Sequence, residues 1–127
     1  MKAVVEIKGG FGNQIFQYSF ANYLNSKGYE VTVNINKIIY KSGTQRFPLN
    51  NNNFGFKQTN QFIVLLFKLL YLISQKNIFN NSLNKLINKI FRKEYNFENF
   101  LNSKKRYFNH FDGYWQNIEL LTNQKDY

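Results

Sequence analysis

Gly9-Gly10-Phe11-Gly12-Asn13-Gln14-Ile15-Phe16-Gln17-Tyr18 is the stretch on which the fold of this chain is decided. It follows a short apolar run, Ala3-Val4-Val5-Glu6-Ile7, and opens an apolar-periodic segment that reaches Leu24. That order predicts a strand, a tight glycine turn and a helix. Residues 2–8 are the strand candidate and residues 14–27 the helix candidate, with Ile15, Phe16, Phe20, Tyr23 and Leu24 on one face. Gly28 stands where a helix-ending residue of positive φ belongs. Residues 29–35 alternate, with Val31, Val33 and Ile35 on one side, which predicts a second strand. Strand, helix and strand in that length make a βαβ unit, whose completion is a parallel sheet with a right-handed crossover. The expected class is α/β. Ligands in such folds sit at the carboxyl ends of the strands, where the glycine turn lies.

A glycine turn that opens a helix leaves backbone N–H groups at the positive end of the helix dipole, a place suited to an oxyanion. Asn13 and Gln14 add amides that donate and accept at the same spot. The turn is not a dinucleotide fingerprint. Gly10 and Gly12 fit the first two positions of G-x-G-x-x-G, but the third falls on Ile15, and Ile35-Asn36 offers no acidic residue after the second strand. No Gly-Lys-Ser or Gly-Lys-Thr exists for a P-loop.

With 127 residues, the chain suits one domain, residues 1–127. Hydrophobic residues at 43% allow a core and exclude a disordered tail. The absence of cysteine excludes a disulfide framework, a cysteine nucleophile and a thiolate zinc site, and one histidine excludes a histidine-rich metal centre. A net charge of +10 favours anionic partners. Beyond residue 39, Lys41-Ser42-Gly43-Thr44, Pro48 and the run Asn50 to Asn53 predict a turn-rich connection. Residues 62–74 predict a mostly buried helix. Residues 83–93 predict an amphipathic helix, with Leu83, Leu86, Ile87, Ile90 and Phe91 opposite Lys85, Lys89, Arg92 and Lys93. Residues 106–113 predict a strand leading into Gly113-Tyr114-Trp115-Gln116.

The string Gly9 to Leu24 closely resembles the opening motif of the bacterial α-1,2-fucosyltransferases, glycosyltransferase family 11. Phe111-Asp112-Gly113-Tyr114-Trp115-Gln116 resembles the family's G-Y-W-Q segment, and Arg46-Phe47-Pro48-Leu49 through Phe54 is similar, more weakly, to its Arg-x-x-Leu segment. The resemblance implies a Rossmann-like domain of a two-domain, GT-B-type glycosyltransferase. It implies metal-independent, inverting transfer of L-fucose from GDP-fucose, with no cofactor, to the 2-hydroxyl of a galactose-terminated glycan. By that resemblance Gly9, Gly10, Gly12 and Asn13 approach the sugar diphosphate. Gln14 and Gln17 position sugar hydroxyls or brace the turn, and Tyr114, Trp115 and Gln116 meet a sugar. Core packing at a strand end is an equal reading of Tyr114 and Trp115. Of the seven acids, Glu6, Glu30, Glu94, Glu98, Asp112, Glu119 and Asp126, none makes a convincing pair, and Asp112 is the one candidate base, for its place beside the G-Y-W-Q segment. His110 reads as a surface or strand-end residue.

The chain departs from the family pattern in lacking its His-x-Arg-Arg-x-Asp motif: His110 is followed by Phe111-Asp112-Gly113. Val33-Asn34-Ile35-Asn36 also lacks the aspartate that family members often carry there. Family chains are roughly twice this length, as two domains require. The expectation is therefore a truncated N-terminal, acceptor-side half, inactive alone and marginally stable with its interdomain face bare. It is expected in the cytoplasm, without a transmembrane helix or signal peptide, with peripheral contact at the inner membrane face. The competing classes are a basic, aromatic-rich nucleic-acid-binding module and a membrane-surface module held by residues 62–73 and 83–93. Neither needs Asn-Gln directly after a glycine turn, and no nucleic-acid partner is expected.

Overall fold

Lys2–Glu6 forms strand β1, because an unbroken Ala-Val-Val run can bury side chains on both sides of a pleated backbone. Ala3, Val5 and the following Ile7 join one apolar cluster, and Val4 joins another. The computed structural model describes residues 1–39, 49, 54–75 and 81–117. The expected loop at Lys41-Ser42-Gly43-Thr44, the Arg46-Phe47-Pro48 part of the weakest motif, the run Asn50 to Asn53, and the acids Glu119 and Asp126 lie outside the described residues.

Helix α1 (Phe11–Ser26) starts earlier than the apolar period predicts. Gly12 and Asn13 are weak helix formers, yet they are tolerated in a first turn, whose N–H groups need no partner within the helix. The helix ends at Gly28, φ +82, where Gly28 N–H reaches Asn25 O at 3.0 Å and Tyr29 N–H reaches Leu24 O at 3.1 Å. These are the paired bonds of a Schellman ending. Strand β2 (Glu30–Asn34) lies parallel to β1, Ala3 opposite Val31 and Val5 opposite Val33. The expected βαβ unit is thus present. A short helix α2 (Asn36–Ile39) follows, and strand β3 (Lys57–Gln58) pairs with β2.

Helix α3 (Gln61–Gln75), helix α4 (Asn81–Ile90), strand β4 (Phe91–Glu94), helix α5 (Phe97–Asn102) and strand β5 (Phe108–Phe111) complete the described elements. The sheet order is β3-β2-β1-β5-β4, and every neighbouring pair is parallel. Helices cover both faces, α1 and α5 on one, α3 and α4 on the other. The result is an α/β fold with an all-parallel sheet, compatible with a Rossmann-like start.

Two expectations need correction. The amphipathic helix proposed for 83–93 stops at Ile90, and Arg92 and Lys93 belong to β4. Pairing with β5 and insertion of Phe91 beside Val4, Phe67 and Ile87 override the helical period. Arg92 is buried rather than solvated. It donates from Nε to Asn109 Oδ1 at 2.6 Å and from Nη2 to Tyr29 Oη at 3.1 Å, and it lies over the Phe100 and Phe111 rings. Burial pushes its pKa below the usual arginine value. Helix α3, expected to be mostly buried, instead buries Val64 and Phe67 and leaves Phe62, Leu65, Leu69 and Leu72 more than half exposed. Only one side of it meets the sheet. Strands β3 and β4 and helix α5 carry no periodic signal in so few residues.

Phe20, at the centre of α1, organises the core on its face of the sheet. It stacks on Trp115 at 4.1 Å and meets Phe100 and Phe111 edge-on at 5.4 and 5.1 Å.

Candidate functional site

The carboxyl ends of β1 and β5 lie side by side, since Val5 pairs with Phe111. The glycine turn therefore faces the segment that follows β5. Gly9 has φ +81, a conformation that other residues rarely adopt. A Cβ there would come within 2.9 Å of Asn13 Nδ2 and 3.2 Å of Tyr114 Cε1. Gly10 serves as N-cap of α1, with φ −74 and ψ 174, and the first bond of the helix runs from Gln14 N–H to Gly10 O at 3.1 Å. The N–H groups of Phe11, Gly12 and Asn13 come before that bond and aim out of the helix end. Space around Gly10 and Gly12 is open to 4 Å.

The residues singled out in the sequence fall into two sets. Gly9, Gly10, Gly12, Asn13, Tyr114 and Gln116 form an outward lip. Gln116 Nε2 donates to Asn13 Oδ1 at 2.8 Å, and Tyr114 is exposed beside Gly9. Gln14, Gln17 and Trp115 point inward and are buried. Gln14 Nε2 donates to Gly9 O at 3.1 Å, and its Oε1 accepts from Leu49 N–H at 2.8 Å. Gln17 Oε1 accepts from Lys8 N–H at 2.8 Å, and its Nε2 donates to Gly113 O at 3.2 Å. Both glutamines thus brace the turns on either side of the lip. Trp115, with φ 54, lies in the core against Phe20.

Asp112 lies behind the lip between two lysines. Lys8 Nζ reaches its Oδ1 and its backbone oxygen, each at 2.8 Å, and Lys93 Nζ reaches its Oδ2 at 3.2 Å. Lys8 also sits over the Tyr114 ring at 5.1 Å, and Lys93 over Tyr71 at 4.5 Å and Tyr95 at 5.1 Å. The Tyr95 and Tyr71 hydroxyls share a hydrogen bond at 3.1 Å, and that bond is the main cause that raises the Tyr71 pKa. One carboxylate thereby fixes two cations at the ends of β1 and β4. Gly113 permits this packing, because a Cβ there would fall 2.0 Å from Tyr95 O.

A second polar group lies on the α3 face. His110 Nε2 is 2.7 Å from Glu6 Oε1, and Asn34 Nδ2 donates to Glu6 Oε2 at 2.9 Å. All three are buried. His110 is thus no surface residue: β5 lies between β1 and β4, so its mid-strand side chains are covered and polar ones must pair. Sequence reasoning missed Lys8, Lys93, Tyr71, Tyr95 and the Glu6–His110 pair. The position of Lys8 directly before the glycine turn was a usable signal. The rest depends on strand register. Among the described residues, no group of three or more His, Cys, Asp or Glu gathers as a metal site. The chain matches no protein-family model, no curated protein and no solved structure.

Proposed function

We propose that the chain is the acceptor-side domain of an α-1,2-fucosyltransferase of the two-domain GT-B kind. It would act in the cytoplasm on GDP-fucose and a galactose-terminated glycan. The supporting observation is the placement of the Gly9–Tyr18 string: strand, glycine turn and helix at the carboxyl edge of a parallel sheet, next to the segment that resembles G-Y-W-Q. In this reaction the galactose 2-hydroxyl attacks the anomeric carbon of fucose. The bond from that carbon to the diphosphate oxygen breaks, GDP leaves with the electron pair, and the hydroxyl proton passes to a base. Negative charge grows on the leaving diphosphate, so N–H groups at a helix start are useful there. Asn13 and Gln116, already bonded to each other at the lip, hold donors and acceptors suited to sugar hydroxyls. Tyr114 offers an exposed ring for a sugar face. Gln14, Gln17 and Trp115 hold the lip in place from within. Asp112 directly precedes the Gly113-Tyr114 segment of this lip, and its contacts with Lys8 and Lys93 give it a positioning role as well.

The test is titration of the chain with GDP-fucose and with a β-galactoside, followed by transfer assays with and without a family C-terminal half added in trans. Transfer only on complementation, lost in Asn13→Ala with the fold retained, is the expected outcome. Full transfer by an equally stable Asn13→Ala protein removes Asn13 from the site. Absence of transfer and of binding to either ligand overturns the assignment.

A further inference from the structure

We infer that the outer face of α3, continued by α4, docks on the surface of an anionic lipid bilayer. Helix α3 buries Val64 and Phe67 against the sheet. Its opposite side carries Phe62, Leu65, Leu69 and Leu72, spaced three and four residues apart as one helical stripe, with exposures of 71%, 64%, 53% and 53%. Helix α4 packs beside α3 and exposes Leu83 and Leu86. Large apolar side chains at this density on a surface mark an interaction face.

Charge selects the occupant. The charged side chains of the two helices are Lys68, Lys85 and Lys89, all exposed, and neither helix contains an acid. The whole chain carries +10. A second copy docked through the same face about a two-fold axis would bring one lysine-bearing, acid-free face against another. A bilayer rich in anionic headgroups instead offers opposite charge to the lysines and an acyl boundary to the leucines and Phe62. Helix α3, at 15 residues, spans about 22 Å, short of the roughly 30 Å hydrocarbon core. Among the described residues no helix is long and apolar enough to cross a membrane. The geometry therefore calls for α3 lying in the plane of the interface, its stripe sunk to the headgroup boundary.

This inference stands apart from the proposed transferase activity, since the glycine turn contributes nothing to it. Flotation of the full chain with phosphatidylcholine vesicles, and with mixed phosphatidylcholine–phosphatidylglycerol vesicles, tests it. Binding to the anionic vesicles, weak binding to the neutral ones and release at high salt are expected. Leu65→Glu with Leu69→Glu, at exposed positions, should abolish binding. Lys68→Gln, Lys85→Gln and Lys89→Gln should each lower the partition coefficient about fivefold. Asn13→Ala should bind vesicles as the parent does. Equal binding to both vesicle types, or undiminished binding by the double glutamate variant, overturns the inference. So does a concentration-dependent dimer that the same double variant dissolves, which would give the face to a second copy.

Discussion

Replacing Gln17 by Leu removes the side chain that joins the two turns of the candidate site. Gln17 is fully buried, and its amide satisfies two backbone groups at once, Lys8 N–H at 2.8 Å and Gly113 O at 3.2 Å. Leucine fills similar volume and satisfies neither. An orphaned buried backbone group costs about 1–3 kcal/mol. Lys8 N–H is only partly buried, so water can recover some of its bond, whereas the Gly113 bond is buried. The added apolar burial of leucine offsets a fraction. The net loss should be about 2–4 kcal/mol, against a total stability of order 5–15 kcal/mol. For a chain of this size that lowers Tm by about 10 °C. Thermal and urea unfolding of parent and variant supply the number. Gln17→Glu sharpens the test. Its carboxyl can still accept from Lys8 N–H, but only its protonated form can donate to Gly113 O. Below about pH 3, where the carboxyl is protonated in the folded and unfolded chains alike, Gln17→Glu should approach the parent. As pH rises, the unfolded chain ionises first while the folded one retains its proton, so the deficit relative to the parent should grow. A Gln17→Leu protein within about 1 kcal/mol of the parent, or a Gln17→Glu deficit flat with pH, would falsify the bracing role.

Gly113→Ala should fail more severely, by about 3 kcal/mol or more, because its Cβ would sit 2.0 Å from Tyr95 O, a backbone atom that cannot step aside; a variant melting with the parent would refute the close approach. Tyr18 is fully buried, and its hydroxyl has no hydrogen-bond partner among the described residues. Tyr18→Phe should be neutral or stabilising by about 1 kcal/mol, with unfolding midpoints as the readout. Burial also raises the Tyr18 pKa, so the unfolded chain loses this proton near pH 10 before the folded one does. Stability from this group is intact below pH 10 and falls as pH rises beyond it, and the Phe variant should lack that share of the alkaline decline in a pH series of melts. Asp112→Asn should release Lys8 and Lys93 from their shared carboxylate, and two-dimensional NMR should show both ammonium groups more mobile; unchanged lysine signals would deny Asp112 its positioning role.

The legible part of the fold was the part with local signals. Valines before a glycine pair, a helical period to Leu24 and Gly28 in the left-handed region announced β1, α1 and β2, and all three are present. The illegible part was set by partners distant in sequence. Phe91-Arg92-Lys93 continues the period of α4, yet it belongs to a strand because β5 offers it an edge. His110 looks like a strand end until β1 and β4 enclose it and Glu6 takes its Nε2. The same holds at the lip. The motif string named Gly9, Asn13, Tyr114 and Gln116, which do lie together, but nothing local distinguished them from Gln14, Gln17 and Trp115, which point inward. Spacing along α1 explains the division. Gln14, Gln17 and Leu24 lie on the side that meets the sheet, while Phe11 and Gly12 begin the helix in solvent.

The charge at the lip bears on how the proposed reaction would be shared between two domains. Lys8 directly precedes the glycine turn and Lys93 stands at the end of β4 beside β5, and both are engaged by Asp112. Two lysines against one aspartate leave a single positive charge, to which the helix start adds roughly half of another. A sugar diphosphate carries a charge on each phosphate and gains more as it leaves, more than these described groups alone would neutralise. To recruit Lys8, a phosphate would have to displace a carboxylate already seated at 2.8 Å. A neutral sugar faces no such competition: it needs the exposed Tyr114 ring and the Asn13 and Gln116 amides, and all three are presented outward without an ion pair to break. The division proposed for the enzyme follows from that imbalance. In that division the glycine turn would supply N–H groups to one edge of the diphosphate, the lip would take the hydroxyl-rich acceptor, and the main countercharge would come from cations beyond those that the described residues place here. GDP-fucose affinity measured on the chain alone should therefore be weak and salt-sensitive, and should tighten at least tenfold when the complementary half is present, a gain of about 1.4 kcal/mol. Tight, salt-insensitive binding by the chain alone would mean that the lip itself holds the diphosphate and that the acceptor lies elsewhere.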